Sequence, residues 1–239
     1  MLDYKSLTRR ARDAIILAVL SIGLGCAVAA ACMVLPTDSV GVTAEVEGQL
    51  QGLKVVIDAG HGGKDGGAQG YKTSVKEADI NIDIALKLRE ALLSVGAEVV
   101  MTRQNGDAVA DSKQEDMRTR REIIENAGQD ITISIHQNSF PDHSVSGPQV
   151  MYASGSEEGE ALATCIQNCL VEMLNPPKLR VVLSGEYYIL NSGTAPAILV
   201  ECGFLSNEEE EALLIQEEYR VKIVHAIMQG ICDYVTHSD

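Results

Sequence analysis

Beyond residue 52 the chain alternates short apolar runs with longer stretches of helical periodicity. Residues 53–58 (LKVVID) form an apolar run that ends at Gly60. A helix is predicted over 77–95, where Ile84, Leu88, Ala91 and Val95 recur on one face. Gly96 closes that helix, 98–101 reads as the next strand, and a helix over 115–127 stops at Gly128. Residues 131–135 and 149–152 are strands, and a helix over 157–174 is halted by Asn175, Pro176 and Pro177. Two further strands are expected at 187–190 and 197–200. Asn207 caps a helix whose acidic start, Glu208, Glu209, Glu210 and Glu211, suits the positive end of its dipole, so this run reads as capping rather than as a binding site. A last helix covers 218–235. Strands separated by helices of this length predict a single α/β domain, a mainly parallel twisted sheet with helices on both faces.

The first 36 residues have a different pattern. Lys5, Arg9, Arg10 and Arg12 precede 22 uncharged residues, 14–35, rich in Ala, Leu, Ile and Val. That length spans a bilayer, and the basic flank holds the N-terminus in the cytoplasm. The expectation is a single-pass membrane anchor at 14–35 after a cytoplasmic flank at 1–13, with the rest extracytoplasmic. Ala27, Ala29 and Ala31 keep a cleaved signal, and hence a secreted protein, open as the alternative. Residues 36–52 are polar and small, as a stalk would be, leaving 53–239 as the active domain.

Charge then narrows the function. The 239 residues carry 19 basic and 34 acidic side chains, a net −15 that repels rather than grips a nucleic-acid backbone. Two Phe and no Trp argue against an aromatic carbohydrate-stacking platform. No CxxC pair is present, and Cys165 and Cys169, one helical turn apart, read as packing residues.

In open α/β sheets ligands gather beyond the carboxyl ends of the strands. His61 follows the first strand inside DAGHGGKDGGAQG, His136 ends ITISIH, and Glu201 ends AILVE. Two imidazoles and a carboxylate at one sheet edge are the materials of a zinc site. Glu77, opening the first long helix, is placed to reach the same edge, although Ser74 three residues earlier offers it a capping-box role instead. Spacing alone does not separate a fourth ligand from a general base. Gly60, Gly62, Gly63, Gly66 and Gly67 allow close backbone approach around His61. A phosphate loop fails on spacing, because Asp65 stands where GxGxxG needs its last glycine and no Ser or Thr follows Gly63-Lys64.

IDAGHGGKDGGAQG, Glu77, SIHQNS and AILVECGFLSN, in that order, resemble the zinc-dependent N-acetylmuramoyl-L-alanine amidases of bacterial cell walls. Within that family, EYYILNSGTAPAILVECGFLSNEEEEALL is most similar to the CwlD-type amidases of spore-forming bacteria. The resemblance implies a sheet of about six strands, zinc held by His61, Glu77 and His136, and Glu201 as general base. It further implies hydrolysis of the amide between N-acetylmuramic acid and L-alanine of peptidoglycan stem peptides, with spore cortex favoured over septal wall. Gln137 and Ser139 depart from the family pattern beside a matching Asn138, at positions lining the pocket. An external activating protein is one candidate switch. The rival readings are a non-catalytic wall-binding scaffold of the same fold and a zinc peptidase cutting within the stem peptide. Arg103 is left between a stem-peptide carboxylate and a structural ion pair, and Ser184, Ser192 and Ser206 lack the GxSxG context of a serine hydrolase. His143, His225 and His237 read as surface or packing residues.

Overall fold

The computed structural model describes residues 48–237. The basic flank, the proposed anchor and most of the proposed stalk lie outside the described residues.

Six strands build one sheet in the order β2-β1-β3-β6-β4-β5. They are β1 (Lys54–Ala59), β2 (Glu98–Met101), β3 (Ile131–Asn138), β4 (Gln149–Ala153), β5 (Leu183–Gly185) and β6 (Ala197–Phe204). Among the described residues, five helices accompany the sheet: α1 (Glu77–Ser94), α2 (Lys113–Ala127), α3 (Glu157–Leu174), α4 (Glu208–Leu214) and α5 (Glu217–His237). All neighbouring pairs are parallel except β4 with β6. A parallel return needs a crossover long enough to recross the sheet, and no helix separates β3 from β4. The sheet is therefore mixed: β2, β1, β3 and β6 run one way, and β4 and β5, parallel to each other, run the other.

The central strands β1, β3 and β6 are buried almost without interruption, as strands covered on both faces must be. On one face Val56, Met151, Ala197 and Leu199 pack with Ile124 of α2 and with Ile189 and Leu190. On the other, Gln167 of α3 accepts from the Val150 amide and Gly230 of α5 fits closely against Ile166 of α3. Helix ends follow the local chemistry. Gly128 and Asn175 take left-handed backbone at the ends of α2 and α3, and the Ser112, Ser156 and Asn207 side chains cap α2, α3 and α4.

Three expectations change. Residues 187–190 form a turn rather than a strand, with the Leu190 and Asn191 amides donating to the Tyr187 carbonyl. The apolar run is real, but it buries Ile189 and Leu190 as a plug on the α2 face. The edge strand is instead β5, three residues long, with Leu183 exposed. Packing also begins ahead of residue 53: Leu50 is fully buried, and the Gly52 amide donates to the Gly96 carbonyl. Cys165 and Cys169 form no disulfide, and Cys169 donates to Asp233.

Candidate metal and catalytic centre

At the carboxyl end of β1 the Gly60 amide still donates to Ile135 of β3, and the chain then turns sharply at His61, whose φ is 60°. A side chain at Gly60 would strike the His136 ring, so only glycine admits that ring beside the turn. Gly67, with φ +68°, lies in the same way against Glu77 and His61.

Glu77 is the first residue of α1 and is 3 % exposed. Its Oε2 accepts from the Ala68 amide at 2.8 Å and lies 3.3 Å from His61 Nε2. Its Oε1 accepts from the Gln137 amide and from Asn81 Nδ2, and stands 2.9 Å from His136 Nδ1. The capping-box alternative is thereby corrected. Lys76 occupies the cap position without a side-chain bond, Ser74 has φ 59°, and the Glu77 carboxylate faces the two imidazoles. His61, Glu77 and His136 offer ligand atoms all within 4.8 Å of one another. Burial disfavours the Glu77 charge, yet His136 and His61 outweigh it and hold the carboxyl well below the usual range. The bond to Glu77 raises the His61 pKa against the pull of desolvation. Asp65 Oδ2, 3.1 Å from His61 Nδ1, fixes the ring's orientation and leaves Nε2 directed at Glu77.

His136 and Glu201 lie inside β3 and β6, not just past the strands, and are direct neighbours across the parallel pair. Glu201 also opposes Gln149 across the antiparallel pair. Residues 132, 134 and 136 of β3 and 197, 199 and 201 of β6 share the α2 face, so Glu201 and His136 point to the same side. Glu201 Oε2 is enclosed and has no hydrogen-bond partner among the described residues. Burial pushes the Glu201 carboxyl up to about 7, with the Glu77 charge adding to the effect and the imidazoles opposing it. Beside the imidazoles lies a cavity of about 190 Å³, lined also by Lys113, Tyr187 and Tyr188. A wider cleft of about 810 Å³ runs from His61 along residues 107–113.

Arg103 is no carboxylate receptor. Only 4 % exposed, it donates to the carbonyls of Ala59, Gly60, Ala78 and Asn105. Burial, with Arg120 nearby, lowers its pKa to about 10. The acidic run of α4 is also more than a cap. Asn207 does accept from the Glu209 and Glu210 amides, but Glu211 accepts from the Lys72 and Thr73 amides, and Glu210 from those of Gly147 and Phe204. These carboxylates anchor the loops around the site. Nothing in a run of four acids marks which two turn inward. Among the other histidines, His143 contacts the Ser206 carbonyl and the Tyr71 ring, while His225 Nε2 is buried without a hydrogen-bond partner among the described residues.

A sequence profile described as N-acetylmuramoyl-L-alanine amidase matches residues 55–233. The chain belongs to that amidase family. A germination-specific N-acetylmuramoyl-L-alanine amidase of Bacillus subtilis is 35 % identical over 195 residues, covering 78 % of this chain and 81 % of the relative. Among solved structures, the CwlD amidase of Clostridioides difficile, determined in complex with the GerS lipoprotein, superposes with a TM-score of 0.75 at 36 % identity, covering 77 % of this chain and 99 % of that one. A second N-acetylmuramoyl-L-alanine amidase, from Clostridium difficile 630, gives 0.73 at 28 % identity, with 79 % and 100 % covered. The amidase is thus of the CwlD type, and its His61, Glu77 and His136 cluster sits at the carboxyl edge of the shared sheet.

Proposed function

We propose that this amidase uses one zinc ion, held by His61, Glu77 and His136, to cut the bond between the lactyl group of N-acetylmuramic acid and the first alanine of peptidoglycan stem peptides, in spore cortex. The observation that carries the reading is Glu201. It is a half-buried carboxylate whose enclosed Oε2 has no hydrogen-bond partner among the described residues, on the strand next to His136 and facing the same side, yet outside the three-residue cluster. Two imidazole nitrogens and a carboxylate oxygen, all within 4.8 Å of one another, fit zinc, whose tetrahedral ligands at about 2 Å from the ion stand roughly 3.3 Å apart. When bound, zinc supplies the Lewis acidity that polarises the scissile carbonyl and eases ionisation of water.

The protein's own groups do the rest. Glu201 takes the proton of the attacking water and delivers it to the departing alanine nitrogen. A base serves best with a pKa near the working pH, and in the metal-free protein burial raises the Glu201 carboxyl toward that range. Asn81 and the Gln137 amide hold Glu77, and Asp65 holds His61, so the cluster keeps its shape while substrate enters. The cavity beside His61 and His136 gives the stem peptide its approach.

Residues 14–35 anchor the enzyme in the membrane with the catalytic domain outside, and a lipoprotein of the kind named for the Clostridioides difficile relative is a fitting partner. Digestion of purified peptidoglycan by the full chain tests the reading. Amidase action frees whole stem peptides with N-terminal alanine and leaves bare muramic acid, and both products disappear with chelator or with Glu201→Gln. Fragments cut within the stem would establish the peptidase reading, and tight wall binding without products the scaffold.

A further inference from the structure

His61 is a left-handed, non-glycine residue, a conformation that persists only where the surroundings impose it. What imposes it is visible. Arg120 of α2 is 1 % exposed and reaches the turn from beneath. Its Nη2 donates to the His61 carbonyl at 2.5 Å, and its Nη1 to the Ala59 carbonyl at 2.6 Å and to Asp58 Oδ1 at 2.8 Å. Its Nε donates to Asp116 Oδ2 at 2.6 Å. Asp58 is itself fixed by the hydroxyls of Thr102 and Ser134. Asp116 accepts in turn from the Val109 amide, in the segment that walls the larger cleft. One planar guanidinium therefore ties the end of β1, the His61 turn and the cleft wall together, a task needing several donors in a fixed fork.

We propose that Arg120 is a positioning residue for the metal centre, holding the His61 backbone in the one conformation that aims its imidazole at Glu77. The inference rests on the zinc reading above. Release of the His61 carbonyl lets φ return to negative values, which swings the imidazole away from Glu77 and His136. Arg120 acts through the His61 backbone, and its effect is read in metal affinity. Outer partners that orient metal ligands typically govern affinity by about 10–100-fold.

The test uses the full chain and zinc itself, with affinity measured by competition against a chromophoric chelator and urea midpoints recorded on the metal-free protein. Arg120→Lys keeps the charge but not the fork, and is expected to weaken zinc binding by about tenfold or more. Arg121→Lys, at a solvent-facing neighbour paired with Glu125, is expected to bind as wild type. Should Arg120→Lys not fold, Asp116→Asn loosens the Nε anchor while sparing the bonds to Asp58 and His61, and is expected to weaken zinc several-fold. A folded Arg120→Lys, or in its place Asp116→Asn, that binds zinc as wild type overturns the proposal, even if its urea midpoint falls, since a lower midpoint alone is what a purely structural arginine gives. His61→Ala separates the two levels. Wild-type binding that is lost in His61→Ala but kept in Arg120→Lys refutes only this inference, whereas a wild-type chain that binds no zinc refutes the metal reading and this inference with it.

Discussion

Glu201→Gln is expected to make the metal-free protein more stable while removing its activity, and the size of the gain follows from the buried carboxyl. Folding moves the Glu201 pKa from its ordinary 4.5 up to about 7, a difference worth about 3 kcal/mol through linkage. The sign is set by which state holds the proton. Between those two values the folded protein keeps a proton that the unfolded chain has lost, so wild-type stability falls as pH rises through this window and levels off above about pH 8. Glutamine carries no charge to desolvate. The variant should therefore match the protonated wild type near pH 4.5 and exceed wild type by up to about 3 kcal/mol at pH 8. Burying the glutamine amide without a partner subtracts a roughly constant amount, so the decisive quantity is the change in the wild-type-to-variant difference with pH. Urea unfolding in chelator at pH 5 and pH 8 measures it. Loss of a general base is expected to lower muropeptide cleavage by about 10²–10⁴-fold. A difference that stays flat from pH 5 to pH 8 would refute the assignment of a high Glu201 pKa, and unchanged cleavage would refute its role as base.

His61→Ala and His136→Ala should each lose metal, and stoichiometric zinc retained in either, measured by elemental analysis, counts against the ligand set. Gly67→Ala places a Cβ against Glu77 and His61 at φ +68°, adding about 1–2 kcal/mol of backbone strain. Its expected signature is weakened zinc retention with native circular dichroism, and wild-type zinc content would contradict the crowding. Asp58→Asn removes one of the two carboxylates paired with the buried Arg120 and leaves Asp116, at a cost of about 1.5–3 kcal/mol in urea midpoint experiments. Burial alone would raise the Asp58 pKa, but Arg120 and the Ser134 and Thr102 hydroxyls bring it below the ordinary 3.8. Its stabilising share is thus full above that value and lost as pH falls through the folded pKa. The gap between wild type and Asp58→Asn should narrow on acidification below about pH 4, and a gap that widens there would show the sign to be wrong.

The apolar rhythm of the chain carried most of the architecture. Among the described residues, five of the six strands and the five named helices lie where the sequence places them, because burial leaves a periodic trace and Asn207 with its acidic run marks the start of α4. The exceptions share a cause. YYIL at 187–190 is as apolar as a strand but is buried as a turn, and β5 pairs along the sheet edge with its side chains in solvent, so neither follows the alternation of a half-buried strand. The reversal of β4 was foreshadowed by the missing helix between 138 and 149, yet its pairing partner, β6, is remote in sequence.

Residue identity alone supplied the available chemistry: two histidines and a glutamate near strand ends, a second glutamate at a helix start, and glycines where backbone must pass close to a ring. How the roles divide came from folding. Glu77 directs both oxygens to the imidazoles and to neighbouring donors, while the enclosed Oε2 of Glu201 has no hydrogen-bond partner among the described residues. Folding also placed Arg120 beneath the His61 turn and Glu210 and Glu211 beneath the surrounding loops. The reason is physical. A side chain's chemical type is local and can be read from its letter, but its charge state and partners depend on groups dozens of residues away that folding brings within about 3 Å in a medium poor in water.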